Sequence, residues 1–172
     1  MKTIFVYLLT LILLFALNGA FPTLKYGAAP NFLFLFAILF ALKKDNRGFL
    51  WIAFFSGLLL DLFSGGFFGA FTLAMLLVCA LAAYTAATLF TIDLSIEARS
   101  ILVAAANLIF VLVLFIINLA TFKFNLAPNQ ISPQIFAGKV WLDLILNLIF
   151  AMPIYYLLLL DDKLAVKGSA HR

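Results

Sequence analysis

Six apolar runs, parted by short polar, glycine- or proline-marked breaks, leave this chain one way to satisfy its backbone. They cover about Ile4–Phe21, Pro30–Leu42, Gly48–Phe63, Phe67–Ile92, Ile101–Phe122 and Val140–Leu160. Charged residues make up 10% of the chain and mean hydropathy is +1.22, whereas a soluble domain carries about 25% charged residues. Lipid is therefore the solvent for most of its length, and a helix satisfies its own backbone there. The expected fold is all-α: a polytopic integral membrane protein with six transmembrane helices, residues 1–172 forming a single transmembrane helical domain. No polar stretch is long enough for a second, soluble core.

The second and third runs are short. Between twelve and sixteen residues at about 1.5 Å each span roughly 20–24 Å, less than the ~30 Å hydrocarbon layer. Local thinning, or a broken entry at Gly27–Pro30, absorbs the difference,. A re-entrant hairpin would put Lys43, Lys44, Asp45 and Arg47 at mid-membrane and is rejected. The first run has only Lys2 ahead of it and a poor cleavage pattern at Ala16–Ala20, so it is expected to be a retained helix, not a cleaved leader,. With the N-terminus inside, eight basic residues (Lys2, Lys43, Lys44, Arg47, Arg99, Lys163, Lys167, Arg172) fall on the cytoplasmic face and three (Lys25, Lys123, Lys139) outside. That asymmetry places both termini in the cytoplasm.

Asp61 stands in Gly57-Leu58-Leu59-Leu60-Asp61-Leu62-Phe63-Ser64-Gly65-Gly66-Phe67-Phe68-Gly69. An acid at the centre of a membrane helix costs roughly 2.5–3.5 kcal/mol, so it faces protein or water and has a partner. Fourteen residues above Arg47, it lies roughly 21 Å from the cytoplasmic edge,. Asp143, four residues into the sixth run, reaches the same outer zone, with Lys139 one turn before it,. Two readings stand: each acid is satisfied locally by backbone N–H groups and water, or the two line an outward-facing pocket. For Asp61 the expected holders are N–H groups near Gly65 and Gly66. Asp143 and Asn147 share one face of the sixth helix, and Asn107, Asn118 and Thr121 share one face of the fifth. Asn in such helices usually bonds to a neighbouring helix. Cys79, Ala83 and Ala87, like Gly65 and Gly69, have the spacing of close helix packing. Pro153 is expected to kink the sixth helix. The longest break, Lys123–Lys139, holds Pro128 and Pro133 and is rimmed by aromatics. It is either a loop on the membrane surface or a flap over a cavity.

Several function classes fall away. The single histidine, His171, is in the polar tail, so no Ser/His pair or metal cluster stands in the membrane,. No phosphate-cradling loop or dinucleotide fingerprint appears. Cys79 is the one cysteine, which precludes an intrachain disulfide,. The basic residues lie at helix ends without interleaved aromatics, which argues against nucleic acid despite a pI near 9.3. No cofactor, metal or catalytic residue is expected.

From Pro30 to Tyr84 the chain resembles MreD, the multi-spanning membrane subunit of the bacterial rod-shape machinery. The resemblance rests on Pro30-Asn31 before a short span, the basic turn Lys43–Arg47, the Gly57–Gly65 run with Asp61, and Gly69 at the next helix. Where that family often shows Pro-Asp, this chain has Pro30-Asn31. The resemblance implies a non-enzymatic scaffold in the bacterial inner membrane. Its implied partner is MreC, a single-span protein with an extracytoplasmic coiled coil; through it the scaffold connects MreB filaments with RodA and its transpeptidase in peptidoglycan elongation. It also implies a six-helix arrangement similar to the substrate-binding subunits of energy-coupling-factor vitamin transporters. Such a subunit, binding a small nutrient from outside, is the alternative function.

Overall fold

From Phe32 to Ala41 the chain carries only Phe, Leu, Ile and Ala, and all ten residues are buried. A helix apolar on every side suits a protein core or lipid alike; its burial makes this one the core of the molecule. The computed structural model describes residues 2–20, 29–43, 48–64, 67–89, 96–124 and 133–167. They form α1 (Lys2–Ala20), α2 (Phe32–Ala41), α3 (Phe49–Ser64), α4 (Ala70–Leu89), α5 (Ile96–Lys123) and α6 (Pro133–Lys167), with no strand among the described residues. Residues 44–47 of the expected basic turn, Gly65 and Gly66, 125–132 of the expected outer loop, 168–172, and 21–28 with the first half of the expected broken entry lie outside them.

Helix α2 packs against all five others, while α1 meets α6, α6 meets α5, α5 meets α4, and α4 meets α3. Five helices thus form a ring around the sixth. Three of them dock through aromatic rings. Tyr7 of α1 meets Phe40 at a 4.9 Å centroid distance, Phe110 of α5 meets Phe34 at 4.7 Å, and Phe150 of α6 meets Phe32 at 5.2 Å. The ring is thinnest between α1 and α3, bridged by Phe15 against Phe63 at 4.8 Å.

The second apolar run therefore meets protein and not lipid along its length. Protein covers it on every side, so its length of about 15 Å answers to its neighbours, not to lipid,. The third run inverts a soluble helix. It buries Ala53, Ser56, Gly57 and Asp61 and turns Trp51, Phe54, Phe55, Leu62 and Phe63 outward. Small inside and large apolar outside is how helices pack closely in lipid. Stretches 70–88, 98–121 and 142–160 are long and apolar enough to cross a membrane, and α1, α2 and α3 supply shorter apolar helices.

Two boundaries move. The sixth helix starts at Pro133, not Val140, so half of the expected outer loop is helical. Proline is tolerated at a first helical position, where its missing N–H has no intrahelical partner in any case. The fifth starts at Ile96, five residues early, taking in Arg99 and Ser100. On α4 the buried face is Ala74, Met75, Val78, Cys79 and Ala82, whereas Ala87 is exposed.

Candidate functional site

The first four N–H groups of any helix lack an intrahelical acceptor, and an apolar interior offers no water to replace it. Two of this protein's helices begin inside such surroundings, and its polar side chains gather at those two starts.

At the start of α2, four N–H groups find four side-chain oxygens. Ala29 N–H donates to Asp143 Oδ1 at 3.1 Å and Asn31 N–H to Asn147 Oδ1 at 2.8 Å. Phe32 N–H donates to Asn18 Oδ1 at 3.1 Å. Asn31 is the N-cap, its own Oδ1 accepting from Phe34 N–H at 3.0 Å. Between Ala29 and Asn31 sits Pro30, buried and without an N–H to satisfy,. Asp143 and Asn147 come from successive turns of α6, and Asn18 from the last turn of α1. Asn147 also donates through Nδ2 to Asn107 Oδ1 at 3.0 Å, tying α5 to the same point.

At the start of α4 the cap comes from another helix. Gly69 has φ +95°, a backbone conformation suited to glycine, and its carbonyl accepts the first helical bond from Leu73 N–H at 2.9 Å,. It occupies the N-cap place with no side chain to cap with. Asp61 of α3 supplies what is missing. Its Oδ1 accepts from Phe71 N–H and its Oδ2 from Thr72 N–H, both at 2.9 Å, and the Thr72 hydroxyl donates to the same Oδ2. These are the N2 and N3 amides that an N-cap side chain ordinarily serves. A carboxylate also lies favourably at the positive end of the helix dipole.

Gly57 makes the approach possible. It lies one turn before Asp61, and a Cβ there would fall 2.5 Å from Thr72 Cα and 2.9 Å from Thr72 N. Backbone meets backbone at that height, which brings the Asp61 carboxylate within reach of α4.

The expected site residues thus divide into two groups. Gly57, Asp61 and Gly69 converge on the start of α4, and Pro30, Asp143 and Asn147 on the start of α2. The two acids cap different helices, borne on α3 and α6, which are not neighbours in the ring. The groups holding Asp61 are at Phe71 and Thr72, beyond the expected Gly65 and Gly66, which lie outside the described residues. The Lys139 side chain, expected beside Asp143, also lies outside them. Asn107 bonds across to α6, as its position on a polar stripe suggests. Sequence reasoning missed Asn18 and Thr72. Asn18 is an amide in the final turn of an apolar run, and Thr72 stands three residues after a cap glycine; both positions carry a readable signal.

The family model described as rod shape-determining protein MreD matches residues 1–160 of the chain. No curated protein and no solved structure matches it.

Proposed function

The chain belongs to the MreD family of rod shape-determining proteins, and we propose that it serves there as a non-enzymatic membrane scaffold, holding a partner protein instead of turning over a substrate. The family role is the determination of rod shape, and the protein is a membrane protein. The observation that carries the scaffold reading is where the interior polar groups are spent. Asn18, Asn31, Asp61, Asp143 and Asn147 each accept from a backbone N–H at a buried helix start. That chemistry builds a rigid shape.

The partner we assign is a single-span MreC-like protein, through which the bundle supports MreB filaments and the RodA–transpeptidase synthase in peptidoglycan elongation. The whole of 1–172 acts as one six-span domain of the bacterial inner membrane with both termini cytoplasmic, a reading supported by the eight-to-three basic asymmetry. A vitamin-transporter subunit needs outer polar groups turned toward a ligand, and Asp61 and Asp143 are turned toward backbone. Tagged protein extracted in mild detergent is expected to bring down the single-span coiled-coil partner, and its depletion to round the cells. Recovery of a small nutrient and no membrane partner would reverse the assignment.

A further inference from the structure

We propose that the turn joining α3 to α4 stops partway through one leaflet and draws the bilayer surface down to itself, so that lipids with short acyl chains border this side of the protein. Contacts between helices fix the heights. Phe110 of α5 meets Phe34 of α2 at 4.7 Å and Phe71 of α4 at 6.2 Å. Asp61 of α3 accepts from the Phe71 and Thr72 N–H groups. The starts of α2 and α4, and Asp61 with them, therefore lie level with Phe110. Phe110 stands eleven residues from Arg99 and eleven from Thr121, where the apolar stretch 98–121 closes. At about 1.5 Å per residue it is midway, with about 16 Å of α5 on either side. Beyond it α5 exposes Leu112, Ile116 and Leu119, so this helix still borders lipid there. Helix α3 rises only three residues past Asp61 before ending at Ser64, about 5 Å,. About 10 Å of hydrocarbon beside α5 thus has no counterpart beside α3.

Neither water nor undisturbed hydrocarbon suits the end of this hairpin. Leu62, Phe63, Phe67 and Phe68 are all exposed there, and the sequence from Leu62 to Ala70 carries no charged side chain. Standing in water would leave that apolar surface hydrated. Irregular backbone is not left exposed in hydrocarbon either. Both demands are met when the bilayer surface comes down to the turn, the ordinary response to a short apolar element. Asp61 already serves the first amides of α4, so the lowered surface need reach no deeper than the turn. The effect is one-sided. The 24-residue stretch 98–121 of α5 covers about 36 Å and fills a ~30 Å hydrocarbon layer,. The 16 residues of α3 cover about 24 Å,. In the orientation proposed above, the thinned leaflet is the outer one.

The test is quenching of a single tryptophan by phosphatidylcholines brominated in mid-chain, with acyl chains of fourteen, eighteen or twenty-two carbons. Trp51→Phe and Trp141→Phe clear the background in the full chain. In it, Phe68→Trp reports from the turn and Ile116→Trp from α5, both at exposed positions. The preference for the shortest over the longest lipid should be at least about threefold greater at Phe68→Trp than at Ile116→Trp. Leu62→Trp and Leu112→Trp repeat the comparison from other exposed positions, so that one poorly folded variant does not decide it. Equal preferences on the two sides, or a preference for long chains at the turn, would overturn the proposal.

Discussion

Asp61 does the work of a missing side chain on another helix. Gly69 provides the backbone turn that starts α4 but has nothing to offer its amides, and the carboxylate arrives from α3 instead. Asp61→Leu leaves two buried N–H groups without an acceptor, at a cost of about 2–4 kcal/mol. It is expected to lower the thermal midpoint in detergent and to weaken complex assembly. Asp61→Asn keeps one acceptor but turns an NH2 toward the second amide, so it should fall between Leu and wild type. An Asp61→Leu protein as stable as wild type that still supports cell shape would rule out the capping role. Gly57→Ala is a sharper probe of geometry. Ala is the better helix former by about 1 kcal/mol, yet its Cβ would stand 2.5 Å from Thr72 Cα. We expect net destabilisation and displacement of α4, read as loss of a Gly57-facing crosslink or a lower midpoint. A stabilised Gly57→Ala variant would contradict the contact.

At the scale of elements, α2 behaves as a ligand bound by the other five helices. Its sides are held by packing, through Phe32, Phe34 and Phe40 against rings of α6, α5 and α1. Its N-terminal end is held by the hydrogen bonds its N–H groups donate to side-chain oxygens of α1 and α6. Pro30 fits because, buried between two amides that each take a side-chain oxygen, it brings no donor of its own,. Pro30→Ala adds a buried N–H at that point and is expected to cost about 1–3 kcal/mol. The comparison that checks it is Pro30→Ala against an exposed helix substitution such as Leu73→Ala, by thermal unfolding in the same detergent. Equal midpoints would mean that the added N–H finds an acceptor.

For the molecule as a whole, the basic asymmetry sets the orientation we predict. Ser132→Cys should react with an impermeant thiol reagent from outside the cell, and a cysteine placed just after Lys44 only after the membrane is opened. Labelling of Ser132→Cys from the cytoplasmic side alone would invert the topology. The same ring that encloses α2 leaves large apolar side chains outward, among them Trp51, Phe63, Tyr84 and Ile101. Such a surface is stable in lipid and would associate in water.

Much of this was written in the sequence. A low charge content and six apolar runs dictate helices in lipid, because each helix closes its own backbone bonds. The four-residue spacing of Asp143 and Asn147, and of Gly57 and Asp61, already places each pair on one helix face. What the sequence could not say is which helix goes inside. In lipid, a buried helix and a lipid-facing one are equally apolar, so the central place of Phe32–Ala41 shows only once its five neighbours are seen around it. Nor could it say what the acids hold. Asp61 meets amides ten and eleven residues onward, and Asp143 meets one 114 residues back. Those separations are bridged only by the crossing of α3 with α4 and by α6 closing against α2. Every helix start has orphaned donors, but which acceptor reaches them from another helix is decided only by how the helices pack.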